Sequence, residues 1–137
     1  MARLRFIVDT SVFARLPKQA VASAFLPLAG AVAVIAPVAF ELGYSARNHD
    51  DYLALTSRLL AFTSIPVTDG DHQRALDVQA KLSLTGQHRS LSLVDALVAA
   101  TAEARDLTVL HYDSDFERIA QLTGQRQQWI VARGTAD

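Results

Sequence analysis

The chain has 137 residues, no cysteine, four histidines and a formal net charge of -1, from 13 Lys+Arg against 14 Asp+Glu. With 50% hydrophobic and 20% charged residues it has the balance of one soluble globular domain, residues 1–137, and not of a disordered chain. Without cysteine, disulfide frameworks, zinc fingers, iron–sulfur clusters and thiol catalysis are excluded; a pI near 6.4 leaves no broad basic footprint, so any nucleic-acid partner must be held by a local site.

Met1 to Val8 carries two arginines but no apolar stretch long enough for a signal peptide. Leu4 to Val8 reads as a buried strand that opens into a loop at Asp9-Thr10-Ser11. The apolar region from Ala20 to Leu42 is interrupted by Pro27, Gly30 and Pro37 and contains Glu41, which argues against a membrane span and for a cytoplasmic protein. Within it, Val32 to Ile35 predicts a second strand, and Pro37, as the first helical residue, a helix through Arg47. Asp50 to Phe62 has the spacing of an amphipathic helix. Ile65-Pro66-Val67 is at best a short edge strand, because proline donates no ladder hydrogen bond. Asp71 to Leu84 predicts a helix, as does Ser92 to about Arg105, which opens with a hydroxyl cap and an acid three residues on. Leu107 to Tyr112 reads as a strand, Asp115 to Leu122 as a helix and Trp129 to Ala132 as the last strand. Alternating strands and helices predict a three-layer α/β/α fold around a mainly parallel sheet. In such sheets ligands bind beyond the carboxyl ends of the strands, and Asp9 and Asp113 fall at two of them.

The acids are unevenly spread. Glu41 is the only acid between Asp9 and Asp50, set between Phe40 and Leu42. Asp95 lies in the apolar helix SLVDALVAATA, with Ala99 and Ala102 on its face, small residues that suit close approach to a sheet with Asp95 at its rim. Asp113 and Asp115 follow a strand and open a helix. Each has a local alternative: Asp9 as a turn cap, Asp95 as the third residue of a capping box, Asp115 as a helix cap with Asp113 in the turn. Glu41 has the weakest, since a lone buried carboxylate is costly unless paired or ligating. If Asp9, Glu41, Asp95 and Asp113 converge, each pair ~5 Å apart repels by roughly 3 kcal/mol at an effective dielectric of about 20. Such a cluster takes up protons or holds a cation, and oxygen-only ligands select Mg²⁺ or Mn²⁺. That is the chemistry of metal-assisted phosphodiester hydrolysis.

FIVDTSVFARL, Glu41 after PVAF, LSLVDALVAATA, VLHYDSDFERIA and the closing WIVARG together resemble the acidic motifs of PIN-domain ribonucleases, and most closely the VapC toxins of bacterial toxin–antitoxin pairs. The resemblance covers essentially the whole chain. It implies a Mg²⁺- or Mn²⁺-dependent endoribonuclease that cuts structured RNA such as tRNA or rRNA, a VapB-type antitoxin as partner, and a homodimer. On the matching positions it implies Asp9 and Asp95 as metal ligands, Glu41 in or beside the ligand shell, Asp113 as the fourth acid, Asp115 as a ligand or an orienting group, and Ser11 as the hydroxyl bracing the first acid. Gly43 and Tyr44 depart from the family pattern beside Glu41.

Among the other residues, His111 is the one histidine beside the acids, and no two histidines have metal-ligand spacing. Arg15, Lys18, Arg47 and Arg89 are candidates to track RNA phosphates, and Tyr112 and Trp129 to stack bases, against the plainer reading of surface charge and core aromatics. A second enzymatic reading is a phosphotransfer domain using a strand-end Asp; it wants another Asp two residues on, where Ser11 stands. A receiver-like regulatory module would need a lysine near the last strand, and the chain has only Lys18 and Lys81. The apolar surplus from Ala20 to Leu42 and in the helix from Asp50 predicts an exposed groove for an antitoxin helix and a separate self-association surface.

Overall fold

The computed structural model describes residues 3–137; residues 1 and 2, at the start of the segment read against a signal peptide, lie outside the described residues. Five strands form one sheet: β1 (Phe6–Val8), β2 (Val32–Val34), β3 (Thr63–Ser64), β4 (Thr108–His111) and β5 (Gln127–Trp129), in the order β3-β2-β1-β4-β5. Every pairing is parallel; Phe6 faces Val32 on one side and Thr108 on the other, and Leu110 faces Gln128. β1 and β2 are buried along their whole length, which is why they read as unbroken apolar runs: helices cover a parallel sheet on both faces.

Seven helices connect these strands: α1 (Thr10–Phe13), α2 (Gln19–Phe25), α3 (Ala36–Tyr44), α4 (His49–Ser57), α5 (Asp69–Ser83), α6 (Leu93–Ala104) and α7 (Asp115–Thr123). Right-handed crossovers put α1 to α4, which carry the chain from β1 through β2 to β3, on one face. The return to β4 and β5 puts α5 to α7 on the other. Connections therefore leave β1 and β4 in opposite directions, and the crevice at their carboxyl ends is the switch point of the sheet. The three-layer α/β/α architecture agrees with the sequence reading. On α6, Ala99 and Ala102 are buried, as small residues against a sheet should be.

Several boundaries differ from the sequence reading. The third strand is Thr63–Ser64, not Ile65–Val67: Ile65 still donates to the Val34 carbonyl (3.0 Å), and Pro66 then ends the ladder. The last strand is Gln127–Trp129, ahead of the expected Trp129–Ala132; as an edge strand it tolerates the polar pair Gln127-Gln128. The helix expected over Asp50 to Phe62 stops at Ser57 and tightens into a 3-10 turn, Arg58–Ala61. α4 itself buries no residue and the turn buries Leu59, while Leu53 and Leu60 stay exposed where the amphipathic reading put them inward. α3 begins at Ala36, so Pro37 is its second residue. α2, hidden in the apolar region from Ala20, buries Val21 and Phe25, and Phe25 joins Phe13 and Phe62 in an aromatic cluster.

Candidate functional site

Asp9 is the first residue beyond β1. Its carboxylate caps α1: Oδ2 accepts from the Ser11 amide (3.1 Å) and from the Ser11 hydroxyl (2.6 Å). The same Ser11 oxygen accepts from the Tyr112 amide (2.9 Å), so one hydroxyl ties the end of β1 to the end of β4. The other carboxylate oxygen of Asp9, Oδ1, is buried and has no partner among the described residues, and neither has the neighbouring Thr10 hydroxyl. Asp95 sits one turn into α6, where its amide donates to the Ser92 cap (3.1 Å) while its carboxylate is left over. Asp113 follows β4; its amide donates to His111 Nδ1 (3.0 Å) and its Oδ1 accepts from the Asp115 amide (2.9 Å).

Asp9, Asp95 and Asp113 each offer a carboxylate oxygen within 4.8 Å of the other two. Asp9 and Asp95 are 2% and 6% exposed. Burial, partly offset by the Ser11 hydrogen bonds, raises Asp9 to a pKa of about 6, with Asp113 and Glu41 adding to it. Burial also raises Asp95, to about 8, and the charges of Asp9, Asp113, Asp115 and Glu41 push the same way. Three crowded carboxylates, one of them with an orphaned buried oxygen, are a costly arrangement without a cation and a natural one with it. The donor set is oxygen only, which fits a hard divalent ion.

Glu41 and Asp115 stand outside this tight group, though near enough for their charges to act on Asp95. Glu41 is half-buried on α3. Asp115 is held by Arg118 (3.2 Å), a pairing one helical turn apart that a charge-pattern reading could have found. Gly43, a departure from the family pattern, has a packing reason: a Cβ there would meet the Tyr52 ring at 2.8 Å, so α3 and α4 approach closely only with glycine. Tyr44 is exposed.

His111 is fully buried and neutral in character, its pKa lowered chiefly by desolvation. Nδ1 accepts from the Asp113 amide, so Nε2 carries the proton and donates to Gln127 (2.5 Å). It fixes the loop that presents Asp113 and has no nitrogen free for a metal. Of the basic candidates, Arg15 is tied to the carbonyls of Ser11 and Ala136 and lies over the Tyr112 ring, Lys18 reaches the Asp137 main-chain oxygen, and Arg47 pairs with Asp51. Arg89 is exposed on a 3-10 turn. Tyr112 is buried with its hydroxyl bonded to Gly134, Ala136 and Asp137, which removes it as a base-stacking group. Trp129 is half-buried, its indole N–H on Glu117 (2.7 Å). The sequence reading missed the roles of Gln127 and Arg118; only Arg118 had a local signal.

Fold and site together define a switch-point α/β domain whose carboxylate cluster could hold a divalent metal ion. Comparison with known proteins gives this class a family. The PIN domain profile matches residues 6–122. Ribonuclease VapC51 of Mycobacterium tuberculosis is 46% identical over 136 residues, 98% of either chain. Ribonuclease VapC18 of the same organism is 37% identical over 134 residues, covering 95% of this chain and 98% of its own. Among solved structures, DNA-bound VapBC from Salmonella typhimurium superposes with a TM-score of 0.77 at 18% identity, over 93% of this chain and 99% of that one. The chain belongs to the PIN-domain family, among the VapC ribonucleases. No helix among the described residues is long and apolar enough to cross a membrane.

Proposed function

We propose that the protein is the toxin of a type II toxin–antitoxin pair. In this reading it is a Mg²⁺- or Mn²⁺-dependent endoribonuclease that hydrolyses phosphodiester bonds in structured RNA, such as tRNA or rRNA, in the cytoplasm. It inhibits translation until a VapB-type antitoxin binds it. The observation that carries the reading is the convergence of Asp9, Asp95 and Asp113 on one point, in a chain 46% identical to a ribonuclease over nearly its full length.

Asp9, Asp95 and Asp113 would hold the cation. When bound, it supplies Lewis acidity toward the scissile phosphate and a water acidified toward neutral pH. Ser11 holds Asp9 Oδ2, which leaves the buried Oδ1 without a competing donor. His111 and the Asp115 amide hold the Asp113 loop and its Oδ1. Glu41, on the facing helix, orients water beside the cluster as an outer ligand, and Asp115 maintains the negative field. For the partners, an exposed apolar groove of 480 Å³, lined by Ile35, Ala39, Phe40, Tyr52, Leu59 and Leu60, suits the apolar face of an antitoxin helix. Phe40 and Leu60 are 79% and 86% exposed, more than a domain without a partner would leave in one place. Leu76 and Leu93, exposed on α5 and α6, supply a separate surface for a homodimer.

The test is to map RNA ends after brief expression of the wild-type chain and of Asp9→Ala. New, discrete ends with the wild type alone support the reading. Identical ends from both chains would remove Asp9 from the mechanism.

A further inference from the structure

Beside Asp113, beyond the ends of β4 and β5, lies a cavity of 350 Å³. Its charged lining is Arg15, Arg133, Asp113 and Asp137, and the Trp129 and Tyr112 rings complete it. The two arginines differ in kind. Arg15 is fixed by its bonds to the Ser11 and Ala136 carbonyls and by the Tyr112 ring 4.6 Å from its guanidinium carbon. Arg133 is exposed, has no ion pair or hydrogen bond among the described residues, and lies over Trp129 at 5.8 Å. Trp129 cannot follow it: His111 and Tyr112 pack against the indole at 5.0 and 5.2 Å, and its N–H is bound to Glu117. Of the two acids, Asp113 belongs to the triad, and the Asp137 carboxylate accepts the Tyr112 hydroxyl (2.8 Å) while Lys18 binds the same residue's main chain. A cation on the triad would therefore leave this cavity with a surplus of positive charge.

We infer that this cavity is a substrate subsite, which takes the RNA nucleotide next to the scissile phosphate, with Arg133 holding that nucleotide's phosphate over the rigid Trp129 indole. The inference rests on the ribonuclease reading. An uncommitted guanidinium on an aromatic platform, one wall away from the acids, has the chemistry for an RNA backbone phosphate. Its volume is in the range of small-molecule sites.

Trp129 is the only tryptophan, so its emission reports on the subsite directly. The probe is a short single-stranded RNA titrated into the chain with its acids intact, with Ca²⁺, a hard cation that binds carboxylates but activates water poorly, in place of Mg²⁺, with and without Arg133→Ala, over a range of salt. RNA should quench Trp129. Arg133→Ala should weaken binding about tenfold, as loss of one charge-assisted contact does, and should flatten the log–log salt slope by about 0.7. In the active chain, Arg133→Ala should raise KM and leave kcat unchanged, and Arg133→Lys should restore part of the affinity. Unaltered affinity and slope in Arg133→Ala, with a wild type that cleaves RNA, would overturn the subsite alone. A wild type that cleaves no RNA would overturn the ribonuclease reading beneath it. Because Arg133 touches only the Trp129 ring, the melting temperature of Arg133→Ala should stay within about 2–3 °C of the wild type's; a larger fall would overturn its assignment as a free ligand-binding cation.

Discussion

Two helices of this protein begin with the same local pattern, a hydroxyl cap and an aspartate three residues on. At α5, Thr68 accepts from the Asp71 amide (3.2 Å), and the Asp71 carboxylate turns back to the Thr68 amide (2.9 Å) and takes Arg105 (3.2 Å). At α6, Ser92 accepts from the Asp95 amide, but the Asp95 carboxylate does not return; it faces Asp9 and Asp113. Both carboxylates are buried, Asp71 at 3% and Asp95 at 6% exposure. One has donors supplied by the chain, and the other has only acids around it. A buried carboxylate that the fold provides with donors serves the fold, and one surrounded by like charge stabilises nothing until a cation arrives.

The strongest way to break this contrast is to neutralise each acid. Asp95→Asn should lower RNA cleavage on the order of 10²–10³-fold, the scale of losing a preorganised charge-stabilising group. In EDTA at neutral pH it should stabilise the protein by roughly 3 kcal/mol, because the wild-type folded state must hold a proton on Asp95 that the unfolded chain does not. Asp71→Ala should do the reverse. It takes the counter-ion from Arg105, which keeps only the Thr101 and Pro66 carbonyls, and opens the capping box, so melts should show a loss of about 2–3 kcal/mol with cleavage per folded molecule unchanged. If both substitutions destabilise, Asp95 is a cap like Asp71 and the contrast fails.

The pH dependence sharpens it. Asp9 and Asp95 have folded pKa values near 6 and 8, above the 3.8 of an unperturbed aspartate, so the folded state binds more protons than the unfolded one between those limits. The contribution of these two groups to the stability of the metal-free protein is then fully present below about pH 4 and lost as pH rises toward 8. Melts in EDTA across that range should fall for the wild type and fall less steeply for Asp95→Asn. Ser11→Ala should cost a further 1–3 kcal/mol or so, because it removes both the bond to Asp9 and the tie to Tyr112. It should also lower activity about 10–100-fold, as loss of a group orienting a metal ligand does. The smallest effect is expected at the caps themselves. Thr68→Ala and Ser92→Ala should each cost about 1 kcal/mol, with cleavage affected by the second alone.

Much of this was legible in the sequence, for identifiable reasons. β1, β2 and β4 are covered on both faces, so their apolar runs stand out, and the acids at the ends of β1 and β4 could be read as strand-end groups. Asp95 was visible because its helix carries small residues where a solvated face carries charge. Other features depend on contacts distant in sequence. Edge strands β3 and β5 lack an apolar signature because one side has no neighbour. α4 and the turn after it show helical spacing, yet Leu53 and Leu60 are exposed and Tyr52 and Leu60 line an open groove, so periodicity pointed inward where these side chains point out. The pairs Asp71–Arg105 and His111–Gln127 join residues 34 and 16 apart, beyond any local pattern. Glu41 shows the limit most clearly. Its isolation in an apolar helix marked it as unusual, but not whether it enters the tight group or stands beside it.

The central claim is that Asp9, Asp95 and Asp113 form a divalent-metal site in which Asp95 holds a proton until the ion binds. It is tested most directly by calorimetric titration of Mn²⁺ at pH 7 in two buffers of different ionisation enthalpy. With Asp95 near 8, the wild type should bind saturably and release about one proton per ion. Asp95→Asn should bind far more weakly and release almost none. Equal binding by both chains, or saturable binding without proton release, would contradict the account.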